Sequence, residues 1–68
     1  MLRITLAAAR VNAGLTQKQA AARLNVSRET IGKWENGKVR PTADKIDPIC
    51  KLYNVAYDNI IFFAQNNA

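Results

Sequence analysis

Residues 28–36 carry a dense set of hydrogen-bonding side chains. On a helical wheel, the large apolar side chains of this segment, Ile31 and Trp34, fall on one side. The other side holds Arg28, Glu29, Gly32, Lys33 and Asn36. Arginine and lysine can donate hydrogen bonds to guanine O6 and N7, and glutamate can accept one from cytosine N4. Such a face suits the reading of base edges, although a merely solvated helix face would carry the same residue types.

The segments on either side of residues 28–36 are suited to holding that face against a large anion. Thr16 is predicted to cap the preceding helix, and Gln19 follows it at the capping-box spacing. About three residues join the two helices: Asn25 tolerates the left-handed conformation of a tight turn, and Ser27 is a strong N-cap. The loop over residues 37–40 is basic. Two helices joined so closely form the geometry that enters a DNA major groove, with the loop placed to meet phosphates.

Turn and cap signals divide the whole chain into five short helical segments, and no alternating β-branched run indicates a sheet. Their expected starts are Arg3, Thr16, Arg28, Thr42 and Tyr57. The first is expected to end at Gly14 and the third at Gly37, because glycine adopts the left-handed C-terminal conformation without steric cost. Pro48 predicts either a kink or a break in the fourth, because proline lacks an amide hydrogen. The fifth is expected to reach Phe63, with a polar tail over residues 64–68.

Composition excludes several classes of protein. The chain has 68 residues, 49% of them hydrophobic, which favours one folded domain over residues 1–68. Its formal net charge of +5 favours an anionic partner. The absence of histidine excludes a histidine-based triad or metal cage, and the single Cys50 is expected to be a small buried hydrophobe.

No glycine-rich phosphate loop or metal-ligand spacing is found either, so we expect no enzyme, metal, cofactor or small-molecule ligand. No apolar stretch approaches the roughly 20 residues of a membrane span, and no signal peptide is evident. The expected location is therefore the cytoplasm, without contact with a membrane.

The combined motifs resemble the helix-turn-helix domain of the Cro and phage-repressor family, also called the XRE family. The resemblance covers roughly residues 3 to 61. It rests on Leu15-Thr16-Gln17, Ala21, Leu24-Asn25-Val26-Ser27, Ile31, Trp34-Glu35-Asn36-Gly37-Lys38 and Pro41. It implies an all-α, five-helix bundle whose second and third helices, about residues 16–36, form the DNA-reading unit.

The resemblance also implies roles for individual residues. Base edges would be contacted by Ser27, Arg28, Glu29, Gly32 and Lys33. The DNA backbone would be contacted by Gln17, Asn36, Lys38 and Arg40. A structural ion pair would join Arg10 and Glu35.

Several of these residues have a purely structural alternative. Glu29 can pair with Lys33 along the helix, a contact worth only about 0.2–0.5 kcal/mol. Gln17 can pack against the bundle, and the charges of the basic loop can serve solubility alone. Trp34 shares the inward side of its helix with Ile31, which favours a core position over a stacking platform.

The function expected from these observations is sequence-specific binding of double-stranded DNA by a transcriptional regulator, most simply a repressor. Because one such domain covers a half-site, a homodimer on a near-palindromic operator is expected. Residues 60–64 are a candidate interface, although they can equally close the small core. The alternative function is a protein-interaction module, such as an antitoxin or a repressor partner.

Overall fold

The computed structural model describes residues 3–62 and arranges them as a small helical domain with one pair of short strands. In chain order the elements are β1 (Ile4–Thr5), α1 (Leu6–Asn12), α2 (Gln17–Leu24), α3 (Arg28–Glu35), α4 (Ala43–Tyr53), a 3₁₀ helix (Tyr57–Asn59) and β2 (Ile60–Ile61). The mostly helical architecture and the helix-turn-helix are as predicted. The five-helix bundle is wrong, because residues 3–62 contain four α-helices.

The predicted fifth helix is replaced by a single 3₁₀ turn followed by extended chain. β2 pairs in parallel with β1, with Ile4 opposite Ile60 and Thr5 opposite Ile61. Isoleucine and threonine are β-branched, and their restricted side chains favour extended backbone. The expectation that no sheet forms is therefore also wrong. Phe63 and the tail over residues 64–68 lie outside the described residues.

The same strand pairing moves the start of the first helix. That helix was expected from Arg3 but begins at Leu6, because Thr5 takes extended dihedral angles and acts as its N-cap. The Thr5 hydroxyl accepts a hydrogen bond from the Ala8 amide at 3.1 Å. At the other end Gly14 adopts a positive φ of 78°, as its predicted position after the helix requires.

The turn between α2 and α3 follows the predicted capping chemistry closely. Thr16 and Gln19 form a reciprocal capping box, with distances of 3.0 and 2.9 Å between side chain and backbone. Asn25 ends α2 in the left-handed conformation, with φ of 60°. Ser27 starts α3 by accepting a hydrogen bond from the Thr30 amide at 3.0 Å. These local contacts fix where α3 begins relative to α2.

α4 runs without interruption from Ala43 to Tyr53, so of the two outcomes expected at Pro48, a kink or a break, the break does not occur. Proline at this position removes the hydrogen bond that would reach the Asp44 carbonyl. Both Pro48 and Asp44 are exposed. Water can therefore satisfy that carbonyl, which explains why the helix continues.

The core is small and draws on every helix. Its buried hydrophobic residues are Leu6, Ala9, Ala20, Ala21, Leu24, Ile31, Trp34, Ile49, Tyr53, Ile60 and Phe62. Ala20 has no exposed surface, so its small side chain lets α2 approach its neighbours closely. Cys50 is only half-buried against this cluster, and desolvation raises the pKa of its thiol.

Candidate nucleic-acid interface

α3 presents one buried and one exposed face. Ile31 and Trp34 are 1% and 5% exposed and lie in the core. Arg28, Glu29 and Lys33 are all exposed on the opposite side. The folded domain therefore exposes the polar face of α3 and buries its apolar face, as the sequence predicts.

An open groove of about 490 Å³ lies over this exposed face. It is lined by Gln17, Arg28, Glu29, Gly32, Lys33, Asn36 and Lys38. All of its lining residues belong to the nine for which the resemblance implies DNA contacts; Ser27 and Arg40 are the two that lie elsewhere. Three cations and one carboxylate line the groove, so it is electropositive and suited to a polyanion.

Gly32 places no side chain in the groove. A Cβ built at this position would meet no atom within 4 Å. The packing of the domain therefore does not require glycine here, although glycine costs helix stability of roughly 1 kcal/mol relative to alanine. Without a side chain, this position leaves the helix backbone open to the groove.

Ser27 is occupied by its capping role. Besides accepting from the Thr30 amide, its hydroxyl shares a 2.9 Å hydrogen bond with the Thr30 hydroxyl. It is exposed at the N-terminus of α3 but does not line the groove.

A partly buried network fixes the start of α2 against the end of α3. Arg10 and Glu35 form a two-pronged ion pair, with distances of 2.7 Å from Nε to Oε2 and 3.2 Å from Nη2 to Oε1. Arg10 Nη1 also donates to the Leu15 carbonyl at 2.9 Å. The Gln17 side-chain amide donates to Glu35 Oε1 at 3.0 Å. Because that amide carries two hydrogens, one can hold Gln17 in place while the other reaches a phosphate.

The electrostatics of this network extend to Tyr53. The hydrogen bonds that Arg10 donates to Glu35, together with the carboxylate's charge, raise the pKa of the Arg10 guanidinium despite partial desolvation. Burial, and then the nearby Glu35 carboxylate, raise the pKa of Tyr53 to about 12, with Arg10 opposing the shift. Both Arg10 and Tyr53 therefore keep their protons over the whole physiological pH range.

The basic loop after α3 divides between two surfaces. Lys38 lines the groove, and its amide donates to the Lys33 carbonyl at 3.0 Å, which holds the loop against the end of the helix. Arg40 instead points to the C-terminal part of the domain. Its Nη2 donates to the Tyr57 hydroxyl at 3.0 Å, and its guanidinium carbon lies 4.9 Å from the centre of the Phe62 ring.

Sequence reasoning missed the contacts of Arg40 and the hydrogen bond between Gln17 and Glu35. The residues of each contact lie 17 or more positions apart, and no local spacing signals such a meeting. Within residues 3–62, no three metal-ligating side chains cluster, and no helix has the length and apolarity to cross a bilayer.

Comparison with known proteins identifies the type of domain. Residues 6–60 match the sequence model of a family described as Helix-turn-helix. The chain is 40% identical over 52 residues to the HTH-type transcriptional activator BcrR of Enterococcus faecalis, covering 76% of this chain and 26% of that protein.

Two further relatives are similar at a lower level. The HTH-type transcriptional regulator ImmR of Bacillus subtilis is 36% identical over 53 residues, or 78% of this chain and 42% of that protein. The Antitoxin PezA of Streptococcus pneumoniae is 36% identical over 47 residues, or 69% and 30%. The matched regions thus span less than half of each relative. No solved structure gave a significant match.

Proposed function

This chain belongs to the helix-turn-helix family, and from that membership we propose that it binds double-stranded DNA sequence-specifically and regulates transcription. The observation that carries the proposal is the electropositive groove over the exposed face of α3. An α-helix fits the major groove of B-form DNA, where each base pair presents a distinct pattern of donors and acceptors. Because duplex DNA is the partner, the activity belongs in the cytoplasm.

Discrimination between sequences comes from the outward residues of α3 in this proposal. Arg28 and Lys33 donate to guanine, Glu29 accepts from cytosine, and Gly32 allows close approach of the helix backbone. Ser27, at the N-terminus of the same helix, contacts a base edge. The openness of the groove and the exposure of its charged side chains support these roles.

Positioning on the duplex comes from contacts with phosphates. Gln17 is supported in this role by its anchored amide, and Asn36 and Lys38 by their place at the rim of the groove. Arg40, at the end of the loop, supplies a further backbone contact. These contacts release counterions, so the affinity for DNA falls steeply with salt whatever the sequence.

The dimensions of the domain support binding as a homodimer to a near-palindromic operator. The described residues extend 29 × 24 × 23 Å, less than the roughly 34 Å between successive major-groove faces on one side of the duplex. Two copies are therefore needed to read two half-sites. Of the expected interface residues that the structure describes, Ile60 and Phe62 are buried in the domain's own core, and Ile61 is half-exposed.

The mode of regulation is proposed to be repression, because occupying a promoter requires no further surface, whereas activation requires one that contacts the transcription machinery. A promoter–reporter fusion carrying the selected site tests this point. Reduced expression in the presence of the protein supports repression, and increased expression refutes it.

Selection of bound fragments from a random duplex pool, followed by gel-shift titration, tests the proposal as a whole. We expect saturable binding to a near-palindromic consensus. The alternative function is a protein-interaction module, as similarity to the antitoxin PezA suggests. For such a module we would expect salt-sensitive smearing in the gel without a preferred fragment, together with tight co-purification of a partner protein.

A further inference from the structure

A second cavity, of about 400 Å³, lies beside Arg40, the last residue of the loop over residues 37–40. Two arginines, Arg3 and Arg40, line it together with the Tyr57 hydroxyl and the carboxylate of Asp58. Arg3 and Tyr57 are both exposed, and Tyr57 keeps half of its surface in solvent. The cavity therefore offers two guanidinium groups and a phenol to an approaching molecule.

The guanidinium of Arg40 is held in a defined orientation. It lies over the Phe62 ring, and its Nη2 donates to the Tyr57 hydroxyl. A guanidinium fixed in this way loses less conformational freedom when it engages an anion than one on a mobile side chain does. Because the Tyr57 oxygen acts as acceptor toward Arg40, its own hydrogen can be donated to the same anion.

The cavity is adjacent to the groove over α3. Lys38 lines the groove, and Arg40, two residues later, lines the cavity. Two residues span at most about 7 Å of extended chain, so the two cationic surfaces meet at one short loop. A DNA strand that contacts Lys38 carries further phosphates at regular intervals, so a neighbouring phosphate can reach the second surface.

We propose that Arg3, Arg40 and the Tyr57 hydroxyl bind a phosphate of the DNA backbone next to those contacted from the α3 groove. The inference rests on the proposed function, since it concerns the same bound duplex. It adds contacts from the residue that precedes β1 and from the 3₁₀ helix, both outside the helix-turn-helix. The carboxylate of Asp58 repels the anion, so the charged residues that line the cavity sum to one positive charge. Removing that carboxylate should therefore strengthen binding, whereas removing an arginine should weaken it.

The test is fluorescence anisotropy on the selected duplex and on a scrambled duplex, across about 50–200 mM salt. Arg3→Gln removes one of the two cations on this phosphate, so the slope of log K against log salt is expected to become shallower by up to about 0.9. A change of 0.9 corresponds to about an eightfold loss of affinity at 0.1 M salt, and the loss is expected to be equal for the two duplexes. Tyr57→Phe keeps the ring and is expected to cause a smaller loss. Asp58→Asn is expected to strengthen binding.

Lys51→Gln and Asp47→Asn are the matched controls, because they change charge by the same amounts elsewhere. These two residues form an exposed ion pair on α4, with 3.1 Å between Nζ and Oδ2. Each control is expected to alter affinity by about twofold or less, since exposed charges distant from the duplex are screened by salt. Circular dichroism of every variant verifies that it is folded.

Three results would overturn the inference. If Arg3→Gln and Lys51→Gln change the slope equally, the cavity holds no phosphate, while the binding of the unaltered protein keeps the proposed function intact. If Arg3→Gln leaves DNA binding unchanged but abolishes binding of a polyglutamate peptide, the cavity is a site for acidic protein segments. If the unaltered protein binds neither duplex, the proposed function fails as well.

Discussion

Replacing Glu35 by glutamine should destabilise the domain strongly, although the two side chains have nearly the same shape. Arg10 and Glu35 retain only 14% and 8% of their side-chain exposure, so the change leaves a largely buried guanidinium without its anion. Removing one partner of a fully buried pair costs about 3–5 kcal/mol, whereas exposed pairs contribute about 0–1 kcal/mol. Because this pair is mostly but not fully buried, we expect a loss between these limits and nearer the upper one, about 2–4 kcal/mol in the free energy of unfolding.

That loss is large for a domain of this size. A chain of 68 residues is expected to have a total stability of roughly 3–10 kcal/mol, at about 0.05–0.15 kcal/mol per residue. Urea unfolding followed by the fluorescence of Trp34, the single tryptophan, measures the change, because this side chain is buried in the folded state.

Glu29→Gln is the matched control, since it makes the same chemical change on the exposed face of α3. It is expected to shift the free energy of unfolding by no more than about 0.5 kcal/mol. The double substitution Arg10→Met with Glu35→Leu should recover part of the loss, because replacing both charges leaves none unpaired. An unfolding free energy for Glu35→Gln equal to that of the control would refute the reasoning.

Three further predictions follow from single side chains. The folded-state pKa of Tyr53, about 12, lies above its ordinary value of 10, so the contribution of this residue to stability is fully present below pH 10 and is lost as pH rises toward 12. Tyr53→Phe should therefore reduce the fall in the free energy of unfolding over that pH range. An unchanged dependence on pH would contradict the raised pKa. Gly32→Ala should stabilise the domain by about 1 kcal/mol in thermal unfolding while weakening DNA binding, because a Cβ meets nothing inside the chain; unchanged binding would show that nothing approaches this backbone. Pro48→Ala should raise the unfolding midpoint by restoring the hydrogen bond to the Asp44 carbonyl, and a lowered midpoint would show that proline is favoured there.

What the sequence predicts correctly is mostly local. The capping box of α2, the N-cap of α3 and the turn between the two helices depend on residues within four positions of one another. Roles for Thr16, Asn25 and Ser27 could therefore be assigned by type and spacing alone. The burial of Ile31 and Trp34 follows from helical periodicity. Seven of the nine expected DNA-contacting residues meet in one groove because they share one helix, its neighbour and the adjoining loop.

What the sequence does not predict depends on contacts between distant residues. β1 and β2 have two residues each, too few for an alternating pattern, and their pairing joins positions 56 residues apart. The same pairing converts the expected fifth helix into a 3₁₀ turn. Arg40 was placed on the phosphate-contacting loop by position, but its partners Tyr57 and Phe62 become neighbours only when the chain has folded.

The base preferences of Arg28→Ala and Lys38→Ala on a randomised duplex pool test the central claim most directly. Arg28→Ala should relax preference at one base position and cost about 1–3 kcal/mol on the preferred duplex. Lys38→Ala should weaken binding to all sequences alike and reduce the salt slope by about 1. If both variants lose affinity uniformly while the preferred sequence stays unchanged, α3 does not read DNA.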